Sequence, residues 1–362
     1  MKIISLCKHV AKITLGKEKI KFIPTSDEKL FSNVFYENID EAKLVSKNQN
    51  HYKQLAAIDG VGFSGSSAVG DFLGEFDNCT SLGGVDMREN PDRGAENSYE
   101  IDFLRDPGSL IDLEKICYSN IHRLKNDAIH RFIKVCKEYY ENDIPIFDEY
   151  FYEHSKSFLK NIISYSFRDA PENITYYPKK LTVQQYRSYA KEFMTAFLQN
   201  IPSKDFLICD NLASVGRPDT GFVKDYLGDC KVLFNYCDPR DVYARARLQP
   251  GNDWVPVDPE IFVKNWKEEV APALNDTDSN MLVTNFDDFC NEYENQAKKI
   301  MDFLGLEEKD HTKKFQYFDP KVSINNTGVW KKLENQKPVE YIFENLKEYC
   351  YDKENSKHYI YI

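Results

Sequence analysis

Gly62-Phe63-Ser64-Gly65-Ser66-Ser67 brings together residue types that bind anions. The apolar run Leu55 to Phe63 leads into it, and Ala68, Val69, Phe72, Leu73 and Phe76 follow at helical spacing. The pattern predicts a strand, a turn and a helix. Such a junction gathers unpaired backbone N–H groups and the positive helix end at one point, which makes a cradle for phosphate or sulfate. Gly62 and Gly65 let the backbone approach a ligand closely, while Ser64, Ser66 and Ser67 add hydroxyl donors. A serine-capped helix after a glycine turn has the same spelling, so the loop by itself leaves both readings open. Its lack of a Gly-Lys-Ser/Thr ending argues against an ATP or GTP hydrolase, which needs a lysine on the terminal phosphates and a magnesium ligand.

Val232 to Arg247 forms a second constellation, reading VLFNYCDPRDVYARAR. Asp238 suits a helix N-cap, Pro239 suits the first helical position, and Asp241 suits the reciprocal partner of a capping box. Arg240, Arg245 and Arg247 then put three guanidinium groups within two turns. At helical spacing Arg240 and Arg247 lie roughly 20° apart and Arg245 about 140° from Arg240, so one or two of them can grip a phosphate. A solvated arginine face is the structural alternative.

Alternating elements must position these groups. Strands are expected at 206–209, 231–236 and 281–285, with helices at 220–227, 242–248 and 292–304, the last stopped by Gly305. Another helix is expected over 339–349. This order predicts an α/β fold, a P-loop-type parallel sheet flanked by helices. Helical periodicity dominates residues 110–201, read as a large helical insertion whose Tyr and Phe stripes belong to a core. Residues 1–54 read as a lead-in packed on the core, 55–335 as the α/β domain, and 336–362 as a closing helix and tail.

The chain has 362 residues, 42% of them apolar, enough for a sizeable core. Its net charge of −11 and pI near 5.3 exclude broad binding to nucleic acid or anionic membrane, and no stretch approaches a membrane span. Nine scattered cysteines with no C-x-x-C pair suggest free thiols in a reducing, cytoplasmic setting. No metal site is expected, because the pairs Asp287-Asp288 and Glu307-Glu308 read as solvated turns.

The order of motifs resembles a sulfotransferase that uses 3′-phosphoadenosine 5′-phosphosulfate (PAPS), in its bacterial and carbohydrate-type branch. Four stretches carry the resemblance: Ser64-Gly65-Ser66-Ser67, Asp238-Pro239-Arg240-Asp241-Val242, Asp302-Phe303-Leu304-Gly305-Leu306 and Asn326-Thr327-Gly328-Val329-Trp330-Lys331. Together they span about residues 55 to 335. The carbohydrate branch is suggested by Tyr99-Glu100-Ile101-Asp102-Phe103-Leu104-Arg105.

The resemblance implies that the first loop wraps the 5′-phosphosulfate and that the element before the second helix holds the 3′-phosphate. Arg240, Arg245, Thr327, Gly328, Trp330 and Lys331 become the other candidate nucleotide contacts. It further implies transfer to a hydroxyl of a carbohydrate or glycan precursor, release of 3′-phosphoadenosine 5′-phosphate (PAP), Glu100 as the base and Arg105 as an acceptor contact. Glu96 and Glu89 are nearby alternatives, and His122 and His130 rival bases. Three positions depart from the family pattern: Phe63 replaces a basic loop residue, Cys237 an arginine and Arg245 a serine. Those departures favour a rival reading, a nucleotide-binding protein of the same fold with weak or lost catalysis. A small-molecule P-loop kinase is the third.

Overall fold

A computed structural model describes residues 40–44, 52–82, 110, 113–114, 148–168, 170–210, 220–249 and 255–351. The apolar run before the first loop forms β1 (Gln54–Gly60), followed by α1 (Ser66–Gly74) and β2 (Cys79–Leu82). The strand stops at Gly60 because the chain turns immediately afterwards, with the Ser64 N–H donating to the Val61 carbonyl at 2.8 Å.

Of the expected helical insertion, the described part is α2 (Glu149–Ile162), a hairpin of β3 (Ile163–Arg168) and β4 (Ala170–Pro178), and α3 (Val183–Gln199). The antiparallel hairpin is an addition to the helical insertion expected over 110–201, whose described helices stand on either side of it. Ile163-Ser164-Tyr165-Ser166-Phe167 alternates apolar and polar residues, a period-2 signal masked by the aromatic helical stripes on either side. Asp148 caps α2 and Thr182 caps α3 in a capping box with Gln185, which fixes where both helices begin. The two helices pack through Phe151 and Phe158 against Phe193, with ring centroids 6.0 and 5.2 Å apart.

Alternation then resumes with β5 (Phe206–Asp210), α4 (Thr220–Leu227), β6 (Lys231–Tyr236) and α5 (Pro239–Leu248). α6 (Pro259–Asn265), β7 (Met281–Asn285), α7 (Phe286–Asn291) and α8 (Tyr293–Leu304) follow, and α9 (Lys337–Asn345) is the last long helix described. Pro239 stands at the first turn of α5, as its place after Asp238 predicts, because a proline there lacks only an N–H that would have no partner; the periodic stretch from Val242 is the rest of the same helix. The closing helix expected to reach Tyr349 ends at Asn345, and a separate 3-10 turn covers Lys347–Tyr349.

β2, β5, β1, β6 and β7 form one parallel sheet in that order. Helices flank it, so the fold is the expected α/β architecture. A single buried cluster joins Ala56 and Ile58 of β1 to Val69, Phe72 and Leu73 of α1, Leu233 of β6, Val242 of α5, and Phe289 and Ile300 beyond β7. Burial of each large side chain in it is worth about 1.5–3 kcal/mol.

β1 sits at the centre of the sheet. Its onward connection runs through α1 to β2 on one side, whereas that of β6 runs through α5 and α6 to β7 on the other. Adjacent strands whose connections diverge leave a crevice at their carboxyl ends, where ligands of open α/β sheets bind.

Candidate anion-binding site

The first loop lies at that crevice. Phe63 takes φ 66° and Gly65 φ 79°, so two residues of the turn are left-handed. At Gly65 only glycine fits, because a Cβ would overlap the Phe286 ring. No side chain caps α1. Among the described residues, the N–H groups of Gly65, Ser66 and Ser67 have no acceptor. Ser66 is half-buried and Ser67 exposed, so both hydroxyls belong to the open side of the turn. Ser64 is different. It is fully buried, and its Oγ lies 2.6 Å from where a Cβ on Gly60 would stand, beneath the loop.

β6 supports the loop from below. Asn235, itself fully buried, donates Nδ2–H to the Ser64 carbonyl at 2.7 Å and accepts the Thr284 hydroxyl at 2.8 Å. The Cys237 thiol reaches the Phe63 carbonyl at 3.4 Å, and Arg245 donates to the same oxygen at 2.9 Å. A second Arg245 N–H bonds the Asn326 carbonyl, and the guanidinium lies 5.7 Å from the Phe286 ring centroid. Phe63 itself packs against the core. Cys237 is buried, and that burial raises its thiol well above the ordinary range and keeps it neutral.

The start of α5 is a charged cluster. Asp238 caps the helix by accepting the Arg240 N–H at 2.9 Å, as its sequence position predicts. Its carboxylate also accepts Arg240 Nε–H at 3.0 Å and the Tyr351 N–H at 3.0 Å, and Arg240 is held between the Trp330 and Phe343 rings, 4.3 and 5.0 Å from their centroids. The Arg240 charge is therefore neutralised within the fold. Asp241 corrects the capping-box expectation: its carboxylate accepts the Gly328 and Trp330 N–H groups at 2.7 and 2.8 Å. The Asp238 N–H that a capping box would have used goes instead to Asp287 at 3.0 Å. A tertiary partner on each side outcompetes the local pairing.

Burial raises the Asp241 carboxyl to about 6, and the nearby Asp238 charge adds to the effect. Asp287 is pushed to about 7 by burial and then by Asp238, with Arg245 opposing the shift. Asp287 is buried under the Asp238 cap, which corrects the expectation of a solvated turn residue there. Among the described residues no group of three or more His, Cys, Asp or Glu side chains could hold a metal ion.

Thr327, Gly328, Trp330 and Lys331 lie on a segment of 3-10 turns beside α5. Thr327 donates its hydroxyl to the Ile324 carbonyl at 2.9 Å, and Lys331 folds back along Gly328 with Nζ 5.5 Å from the Trp330 ring centroid. Arg247 turns the other way, donating to the Val255 carbonyl and lying 5.2 Å from the Tyr243 ring centroid. Glu100, Arg105, the alternatives Glu89 and Glu96, and both rival histidines lie outside the described residues. Sequence reasoning missed Asn235, whose signal was a polar residue near the end of an otherwise apolar strand, and Asp241 as a tertiary anchor.

No family model matches the sequence, and no curated protein matches it. Solved structures similar to it include two sulfotransferases. The sulfotransferase domain of the Synechococcus PCC 7002 olefin synthase is 12% identical, with 85% of this chain and 98% of that chain covered and a TM-score of 0.36. Sulfotransferase STF9 from Mycobacterium avium is 9% identical, with 89% and 80% covered and a TM-score of 0.38. At these values the comparisons decide neither family nor activity. The fold assignment rests on the sheet order and the loop geometry. Among the described residues no helix is long and apolar enough to cross a membrane.

Proposed function

We propose that this chain is a sulfotransferase that moves the sulfuryl group of PAPS to a hydroxyl of a carbohydrate or glycan precursor and releases PAP. The observation that carries the proposal is the set of unpaired N–H groups at Gly65, Ser66 and Ser67, placed at the crevice between β1 and β6 with no lysine in the loop. Backbone donors of this kind suit a compact phosphosulfate; a triphosphate calls for a loop lysine and a magnesium ligand.

The residues present fit this ligand at its sulfated end. Ser66 and Ser67 with the loop amides would hold the phosphosulfate. Arg245 donates to carbonyl oxygens and not to a carboxylate, and it would face the nucleotide phosphates together with Thr327 and Lys331. Bound PAPS supplies an electrophilic sulfur and a phosphate leaving group. Glu100 would accept the acceptor proton as the new S–O bond forms and the bond to the phosphate breaks, Arg105 would orient the acceptor, and the amides would stabilise charge on the departing phosphate. Buried thiols at Cys79, Cys209, Cys230, Cys237, Cys290 and Cys350 fit a cytoplasmic setting.

A nucleotide-binding protein without transfer activity is the second reading. It is favoured by the neutral, buried Cys237 and by the pairing of Arg240 with Asp238. Calorimetry with PAP and with ATP, followed by a radiolabelled sulfate transfer assay, tests both. PAP binding that Ser66→Ala and Arg245→Ala each weaken about tenfold, together with label transfer, is the expected result. PAP binding without transfer to any glycan acceptor would support the second reading. Preference for ATP, or no binding of either nucleotide, would overturn the proposal.

A further inference from the structure

Arg245 and Asp241 stand one turn apart on α5 and hold the same segment from two sides. Arg245 takes the Asn326 carbonyl, and Asp241 takes the Gly328 and Trp330 N–H groups, one on each carboxylate oxygen. Arg240, on the same helix, stacks on the Trp330 ring at 4.3 Å. Gly328 meets this bracket with φ 66°, and the turn closes as the Lys331 N–H donates to the Gly328 carbonyl at 3.2 Å. Because Arg245 also donates to the Phe63 carbonyl, the bracket that grips the turn is tied to the anion-binding loop.

The turn is held by two hydrogen bonds to one buried carboxylate and by the Arg240 guanidinium over the Trp330 ring. It presents Lys331, a cation that among the described residues has no carboxylate partner in a chain of net charge −11. We infer that Asp241 is a positioning residue, which by holding the Gly328 and Trp330 N–H groups fixes the Lys331 turn at the edge of the anion cradle so that its ammonium meets a nucleotide phosphate. The inference rests on the reading of the site as a nucleotide site and adds to it how the second cation is delivered. Asp241 is buried behind the turn, and its positioning role needs no contact with the nucleotide. Its buried carboxylate has the turn as its hydrogen-bonded load, so it acts on binding through the side chains the turn presents, and pairing it with Lys331→Ala isolates the part carried by that lysine.

A double-mutant cycle on PAP affinity tests this, with Asp241→Asn, Lys331→Ala and their combination measured by calorimetry and thermal melts run alongside. Lys331→Ala, a surface change that leaves the fold intact, should weaken PAP about tenfold. Asp241→Asn should cost a similar factor, and the double variant should lose about tenfold in all, because the two residues act through one contact. Trypsin should also cut after Lys331 and Lys332 faster in Asp241→Asn than in the wild-type chain well below the melting temperature, and PAP should slow the wild-type cleavage. Unchanged PAP binding in Lys331→Ala overturns the inference even if Asp241→Asn fails to fold. So does an additive, roughly hundredfold loss in the double variant. Absence of PAP binding by the wild-type chain overturns the nucleotide reading itself, which separates the two failures.

Discussion

Phe63 and Gly65 set the local conformation of the cradle. A bulky residue at φ 66° is a backbone cost of about 1–2 kcal/mol, and it persists here because Cys237 and Arg245 both grip the Phe63 carbonyl while the ring packs into the core. Turning that carbonyl toward α5 keeps it away from the unpaired N–H groups of the loop. Gly65 carries the complementary constraint. Gly65→Ala combines a left-handed alanine with an overlap against Phe286, so it should destabilise the chain by about 2 kcal/mol or more and weaken anion binding, measured by denaturant unfolding and PAP titration. A stable Gly65→Ala variant with full affinity would mean that Phe286 does not close on the loop. The glycine was legible in the sequence. The reason that only glycine is tolerated was not, since Phe286 arrives from the far side of β7.

α1 is anchored at its C-terminal end, opposite the candidate anion loop. Glu75, which caps its C-terminus and is fully buried, accepts the Tyr317 and Phe318 N–H groups at 2.9 and 3.0 Å and meets His311 Nε2 at 2.7 Å. His311 in turn stacks on Phe76, with centroids 4.3 Å apart. The helix that follows the candidate anion loop is thereby fastened to the segment around residues 308–318. Glu75→Ala would strand two backbone donors and a histidine in the interior, so a loss of about 3–5 kcal/mol is expected in urea unfolding. Glu75→Gln, which keeps an acceptor, should lose less; equal losses would show that the charge, not the hydrogen bonds, is what matters. β6, β7 and α4 were legible in sequence because their apolar runs and periods are uninterrupted. The β3–β4 hairpin was not, because its short alternating run stands between two longer aromatic helices and local period alone cannot decide between them.

Across the whole molecule, the carboxylates around α5 make an unusual contribution to stability. Asp241 at about 6 and Asp287 at about 7 both stand above their ordinary value of 3.8. Between roughly pH 4 and 7 the folded chain therefore retains protons that the unfolded chain has released, and their contribution to stability falls as pH rises through that window. This is opposite in sign to a carboxylate held by a cation. Asp287→Asn keeps an oxygen for the Asp238 N–H and removes the titration, so its melting temperature should exceed that of the wild-type chain by a margin that grows from pH 5 to pH 8. A margin that shrinks as pH rises would mean that Arg245 holds Asp287 as an anion.

The sequence by itself determined the alternating α/β order, the glycine-serine loop between β1 and α1, and the Asp238-Pro239 start of α5, because each is written in neighbouring residues. Only the tertiary structure decided what the charged residues do. Arg240 closes on Asp238 and is sealed by Trp330 and Phe343, Ser64 turns under the loop, and Asp241 leaves its own helix end for the Gly328 turn. Each of these partners is distant in sequence or set by packing, and in a buried site the strongest available pairing wins whatever its separation along the chain. The loop was readable as a candidate cradle for an anion; which of its neighbouring cations the fold itself engages was fixed only when β6, β7 and the Gly328 turn met beside it.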